Sequence, residues 1–166
     1  RIRIPAVNAV PIRSDLPLPE AVMTEPLGCV LHSLDLMQAM GTRYRINAET
    51  PRDRVQSIAV CGGGPAGQLF VQAIRHVLGF QGRLFLTDPD AGKLKASSAA
   101  DTIPLQAGGD ESVPEAIARE TGGRLCELVI DACGSPDMWD DFSRLLRKQA
   151  TAILYGFGRE RGARGS

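Results

Sequence analysis

The chain has 166 residues, room for one ordinary domain that buries about two-thirds of its unfolded surface. Its 19 Lys and Arg balance 19 Asp and Glu, so no net field draws nucleic acid or an anionic membrane. No apolar stretch approaches the roughly 20 residues that span a bilayer, and the N-terminus lacks a signal-peptide pattern.

In chain order, residues 1–18 are rich in Pro and β-branched residues and have no helical period, so they read as an extended lead-in that opens in a strand-like run, Arg1 to Ile4. A helix is expected over Glu20 to Met40, broken or bent near Pro26 to Gly28. Gly41 to Arg54 is polar, contains Pro51 and reads as loop. Residues 1–54 thus form a lead-in and connecting segment, and an alternation of strands and helices begins at residue 55.

Strand one is Ser57 to Cys61. A helix over Gln68 to Leu78 sets Leu69, Phe70, Ala73, Ile74 and Val77 on one face and stops at Gly79. Strand two is Arg83 to Thr87, followed by a short helix, Ala91 to Ser98, and a weak strand near Thr102 to Leu105. After a Gly-rich loop, Ser112 and Glu115 make a capping box that starts a helix to about Thr121. Leu125 to Asp131 is a continuous apolar strand, Asp137 to Arg147 a helix, and Ala150 to Tyr155 the last strand, closing on Gly156.

Near-continuous apolar strands alternating with helices imply an α/β fold, a doubly wound, Rossmann-like parallel sheet covered on both faces. Five strands are expected, with ligand at their carboxyl ends. Residues 55–157 form this domain, and residues 158–166, without hydrophobic period, read as a disordered tail. A start without Met and this tail point to an incomplete polypeptide.

The strand–turn–helix at Val60 to Gly67 carries Gly62, Gly64 and Gly67 in a G-x-G-x-x-G array. Gly62 lets the chain turn off the strand, Gly64 keeps a Cβ out of the way of a diphosphate, and Gly67 lets the helix pack close to the sheet. The phosphates would meet the free amides and positive end of the helix. Asp88, 21 residues after Gly67 at the end of strand two, can accept both hydroxyls of an adenosine ribose. It should repel a 2′-phosphate, and no Arg follows it at Pro89 or Asp90, so NAD is favoured over NADP.

The four cysteines, Cys29, Cys61, Cys126 and Cys133, are scattered with no C-x-x-C pair, which fits a reduced, cytoplasmic protein. Cys61 and Cys126 fall in or beside buried strands as small apolar residues. His32 and His76, the only histidines, read as helix-surface residues, and Trp139 as a packing residue. Arg159, Arg161 and Arg164 are too sparse for a nucleic-acid site.

Read together, Thr24-Glu25-Pro26-Leu27-Gly28, the stretch Ile58 to Gly67, Thr87-Asp88, Ala100-Asp101 and the stretch Glu127 to Pro136 resemble the cofactor domain of the zinc-containing medium-chain alcohol dehydrogenases, the sorbitol and threonine dehydrogenase branch especially. The resemblance covers roughly residues 18–157 and implies NAD(P)-dependent oxidation of a secondary alcohol, a small-molecule substrate, with no nucleic acid or membrane partner. It implies that Gly62, Gly64, Pro65, Ala66 and Gly67 hold the pyrophosphate and Asp88 the ribose. Cys133 and Gly134 would line the cofactor, and Gly156 would leave room on the nicotinamide side. Glu25 would lie at or near the catalytic zinc, against the alternative of a helix-start acid stabilised by the dipole. The other ligands belong to an N-terminal domain that this sequence lacks, so residues 1–54 stand at the junction with it, and this chain alone should bind no catalytic zinc and transfer no hydride. The last strand and tail mediate dimers in related domains, which makes a homo-oligomer an expectation. The chain departs from the family in a first helix one residue longer than usual, Ala99 and Ala100 where glycine is usual, and a 41–54 loop that looks inserted.

Three other readings share the glycine turn. An FAD-binding loop would open the protein, whereas more than fifty residues precede this one, and it favours Ala where Val71 stands and Glu where Asp88 stands. A methyltransferase loop for S-adenosylmethionine fits Gly64-Pro65 less well than a diphosphate turn does. A non-catalytic nucleotide-binding scaffold remains the fourth reading.

Overall fold

Three continuous apolar runs form the centre of the sheet, because only strands covered on both faces can bury every residue. They are β1 (Ser57–Cys61), β2 (Arg83–Asp88) and β4 (Cys126–Asp131), and all of their residues except Arg83 are buried. The shorter β3 (Ile103–Gln106) and the longer β5 (Leu146–Leu154) are the edges, each with exposed positions. The computed structural model describes residues 3, 5–12 and 15–157. The expected tail, with Arg159, Arg161 and Arg164, lies outside the described residues, as does the run Arg1 to Ile4 apart from Arg3.

All four strand pairings are parallel and the order is β3-β2-β1-β4-β5, the doubly wound arrangement expected of the sequence. The connections are α3 (Pro65–Gln72), α4 (Ala91–Ala96), α5 (Val113–Thr121) and α6 (Pro136–Leu145), preceded by α1 (Leu18–Ala21) and α2 (Thr24–Ala39). Strand alternation splits the core in two. Ile58, Val60, Leu84, Leu86, Leu128 and Ile130 pack with α2 and α3, while Ala59, Cys61, Phe85 and Val129 pack with α5 and α6. Each fully buried Leu, Ile or Phe contributes on the order of 1.5–3 kcal/mol. The Ser112–Glu115 capping box forms as expected. Among the described residues, no helix is long and apolar enough to cross a membrane.

Several local details differ from the sequence reading. The expected helix of residues 20–40 is broken, as Pro26 leads one to expect, but one turn earlier, at Val22 and Met23, because Pro26 has no N–H to bond the Val22 carbonyl. Pro26 sits in the first turn of α2, where its missing N–H costs no intrahelical bond. Helix α3 continues as a π-helical turn, Ala73–Val77, in which the Leu78 amide bonds the Ala73 carbonyl at 3.0 Å. This wider turn takes up one extra residue and rotates Val77 off the buried stripe, leaving it 63% exposed while Val71 is buried. Strand β5 starts at Leu146, directly after α6, rather than at Ala150. The register shift between Cys126 and Leu128 places Gln149 at φ 65°, a left-handed conformation that a non-glycine side chain rarely adopts.

Candidate functional site

The glycine turn leaves β1 with Gly62 at φ 108°, and the Gly62 amide donates to the Thr87 carbonyl at 2.8 Å. A Cβ on Gly67 would stand 1.8 Å from the Gly62 carbonyl oxygen, so α3 lies against the turn as closely as backbone allows. Gly64, the N-cap of α3, has ordinary extended geometry and no heavy atom within 4 Å of a would-be Cβ. Of the three glycines, then, Gly62 and Gly67 serve the fold, while Gly64 faces open space. The first intrahelical bond runs from the Gln68 amide to the Gly64 carbonyl at 2.9 Å, which leaves the Ala66 and Gly67 amides at the positive end of α3 unspent within the helix.

Asp88 closes β2 and its carboxylate is held in place from both sides. Its Oδ2 accepts the Gly63 amide at 2.8 Å, and its Oδ1 accepts the Asp90 amide at 2.8 Å. Lys93, in the first turn of α4, brings its Nζ within 3.5 Å of Oδ2. Each carboxylate oxygen keeps lone-pair capacity beyond its one amide. Gln68 ties the same region together, donating to the carbonyls of Gly63 at 3.1 Å and Lys93 at 2.9 Å. Sequence reasoning missed Lys93 and Gln68. The helix starting at Ala91 was expected, but only its packing against the end of β2 brings Lys93 beside Asp88.

On the other side of β1, Asp131 closes β4. Its Oδ1 accepts the amides of Cys133 at 3.0 Å and Gly134 at 2.7 Å, and the Cys133 thiol approaches it at 3.4 Å. Its carbonyl accepts the amides of Tyr155 and Gly156 at 3.0 and 2.8 Å. A Cβ on Gly156 would meet the Gly134 nitrogen at 2.1 Å, so the structure gives Gly156 a packing role between two strand-exit turns. Asp131 also went unremarked at the sequence level, where it marked only the end of a strand.

Between these groups lies a cleft of about 550 Å³ lined by Gly62, Asp88, Lys93, Cys133, Ser135 and Met138, among others. It stands at the carboxyl ends of the parallel strands, where open α/β sheets bind ligands. A larger cleft of about 950 Å³ opens at the amino ends, beside the 41–54 loop. Its most enclosed guanidinium, Arg75, is already spent on the carbonyls of Phe80, Gly82, Ala100 and Asp101, so the carboxyl-end cleft is the better binding site. Burial pushes the Cys61 thiol up to about 12 and also raises Cys126, which keeps both as inert core residues. Cys133 is an exposed free thiol whose pKa is raised chiefly by partial burial.

Glu25 lies in the first turn of α2 and accepts a bond from the Cys29 thiol at 3.4 Å. The hydroxyl of Tyr155, just past β5, is raised first by burial and then by Cys29 and Glu25, so this pair stands near the exit of β5. Among the described residues, no group of three His, Cys, Asp or Glu could hold a metal ion. The residues present therefore do not fit a catalytic zinc, which needs three protein ligands and an open position.

No protein-family model matches the chain. Solved structures do. A protein described as a short chain alcohol dehydrogenase (rspB) from E. coli CFT073, complexed with NADH, aligns with a TM-score of 0.72 at 22% identity over 95% of this chain and 42% of its own. A zinc-dependent alcohol dehydrogenase 2 from Streptococcus pneumonia gives 0.72 at 19% identity, again over 95% of this chain and 42% of its own. Galactitol-1-phosphate dehydrogenase from Escherichia coli gives 0.66 at 17% identity over 90% and 39%. The likeness is one of fold, and this chain spans about two-fifths of the length of these structures.

Proposed function

We propose that this chain is the nucleotide-binding part of a medium-chain alcohol dehydrogenase and that it takes NAD(H) in the carboxyl-end cleft. The observation that carries the reading is the pairing of the Gly62–Gly67 turn with Asp88, whose carboxylate is fixed at the mouth of that turn by the Gly63 amide. The pyrophosphate would lie over Gly62, Gly64, Pro65, Ala66 and Gly67, where the open space at Gly64 and the α3 amides receive it. Asp88 would accept the adenosine ribose hydroxyls with its remaining lone pairs. Cys133 and Gly134 would line the adenosine side, and Gly156 would hold the neighbouring turn close. The nicotinamide, when bound, exchanges a hydride with a secondary alcohol.

Lys93 offsets part of the charge of Asp88, yet Asp88 and Asp90 leave an acidic margin against a 2′-phosphate, so we favour NAD over NADP. Catalytic zinc, if the complete enzyme uses it, would draw its ligands from outside this chain, with Glu25 at most beside it. The substrate is taken to be a small alcohol, and the complete protein a homo-oligomer. Four free thiols suit a reducing, cytoplasmic setting.

A fluorescence titration with NADH beside NADPH tests the reading. NADH should saturate, and NADPH should bind more weakly by about tenfold, or about 1.4 kcal/mol. Asp88→Ala should erase the preference. If the folded chain binds neither nucleotide, the proposal fails and the scaffold reading takes its place.

A further inference from the structure

Asp131 is a buried carboxyl group that the reading above does not use. The residue is 1% exposed, and its Oδ2 is buried without a hydrogen-bond partner among the described residues. A buried carboxylate with an idle oxygen is costly, so something about its other contacts must hold it there. Those contacts converge on two turns. Through Oδ1, Asp131 holds the amides of Cys133 and Gly134, and through its carbonyl it holds those of Tyr155 and Gly156. The two turns also touch backbone to backbone, since a Cβ on Gly156 would meet the Gly134 nitrogen. On the other side, a Cβ on Gly62 would stand 2.8 Å from the Cβ of Cys133, so the height of this turn bears directly on the glycine loop.

We propose that Asp131 is a positioning residue for the adenosine half of the nucleotide. Its Oδ1 sets the 133–135 turn at the height that forms one wall of the cleft opposite Asp88. The inference rests on the nucleotide reading of that cleft. What matters is the acceptor at Oδ1. The idle Oδ2 contributes nothing to the turn, so an amide in place of the carboxylate should serve as well.

The experiment compares Asp131→Asn with Asp131→Ala in the full chain, using 5′-AMP, nicotinamide mononucleotide and NADH as probes beside the melting temperature. Asp131→Asn should keep the melting temperature and bind 5′-AMP within about threefold of the parent chain. Asp131→Ala should weaken 5′-AMP and NADH by at least about tenfold and leave the mononucleotide unchanged. If the alanine variant does not fold, Asp131→Val, which keeps most of the volume but accepts no bond, takes its place. Hydrogen exchange of the Gly134 amide, which bonds Oδ1 at 2.7 Å, reads the turn without any nucleotide, and it should quicken in the alanine or valine variant and not in the asparagine one.

Unchanged 5′-AMP affinity in a folded alanine or valine variant would overturn the proposal. So would a tenfold loss in Asp131→Asn at an intact melting temperature, since the carboxylate charge would then be what matters. Equal losses for 5′-AMP and the mononucleotide would also refute it. Should the parent chain bind no NADH at all, the nucleotide reading fails, and the Gly134 exchange rates still decide whether Asp131 holds the turn.

Discussion

At the carboxyl ends of β1, β2 and β4, acidic side chains collect backbone amides, whereas at the amino ends arginines collect backbone carbonyls. Asp88 takes the amides of Gly63 and Asp90, and Asp131 those of Cys133 and Gly134. At the other end, Arg75 donates to four carbonyls and Arg54 to those of Ala48 and Glu49. The contrast follows from the parallel sheet. Crossover helices begin near the carboxyl ends of strands, presenting unpaired N–H groups there, and finish near the amino ends, presenting unpaired carbonyls. Glu127 is the exception. It accepts the Gln56 and Ser57 amides where β1 enters the sheet, with Arg147 balancing its charge at 2.7 Å. The difference teaches where binding capacity is left. The amino end has spent Arg75 on its own backbone, while the glycine turn keeps amides in reserve for an anionic ligand.

Substitutions at the two ends should therefore separate stability from binding. The largest effect is expected at Gly67→Ala, whose Cβ would enter the Gly62 carbonyl. It should cost about 3 kcal/mol or more in denaturant unfolding, while Gly64→Ala, a few residues away in open space, should leave the midpoint nearly unmoved and still lower NADH affinity. A silent Gly67→Ala would break the assignment of that glycine to packing. Next comes Arg75→Ala, which strips four carbonyl bonds and the stacking of its guanidinium 5.4 Å from the Phe80 ring centre. A loss of about 2–3 kcal/mol is expected by chemical denaturation, with NADH affinity unchanged in the folded fraction. A selective fall in nucleotide binding would mean that the two ends are coupled. The smallest effect is a gain. Gln149→Gly relieves a left-handed residue on the exposed side of β5 and should add about 0.5–1 kcal/mol, net of the extra chain entropy of glycine. A lower melting temperature in that variant would show that the Gln149 side chain contributes more than its backbone conformation costs.

The parts of the molecule that were legible in the sequence are those with local punctuation. Continuous apolar runs bounded by glycines or charges mark β1, β2 and β4 to within a residue, and from them the parallel sheet follows. The glycine triad and Asp88 were legible because their spacing is fixed by one strand–turn–helix–strand unit. The break between α1 and α2 was legible in kind through Pro26 but not in place, since a proline disrupts the bond to the carbonyl four residues before it and so breaks the helix at Val22 and Met23. The direct passage from α6 into β5 at Leu146 was not legible, nor was the irregularity inside β5, where Gln149 rather than a glycine takes the left-handed conformation. Lys93, Gln68 and Asp131 act across the fold rather than along the chain, and no periodicity points at such contacts.

The π-helical turn at Ala73–Val77 has a consequence for how this chain tolerates change in length. It holds a surplus residue as a local swelling while the helix before it and the strand after it keep their places in the sheet. Removing one residue there would restore an ordinary turn and leave the glycine loop where it is. Insertions and deletions that are forbidden at the ligand-facing start of this helix are thus absorbed at its far end, one residue at a time.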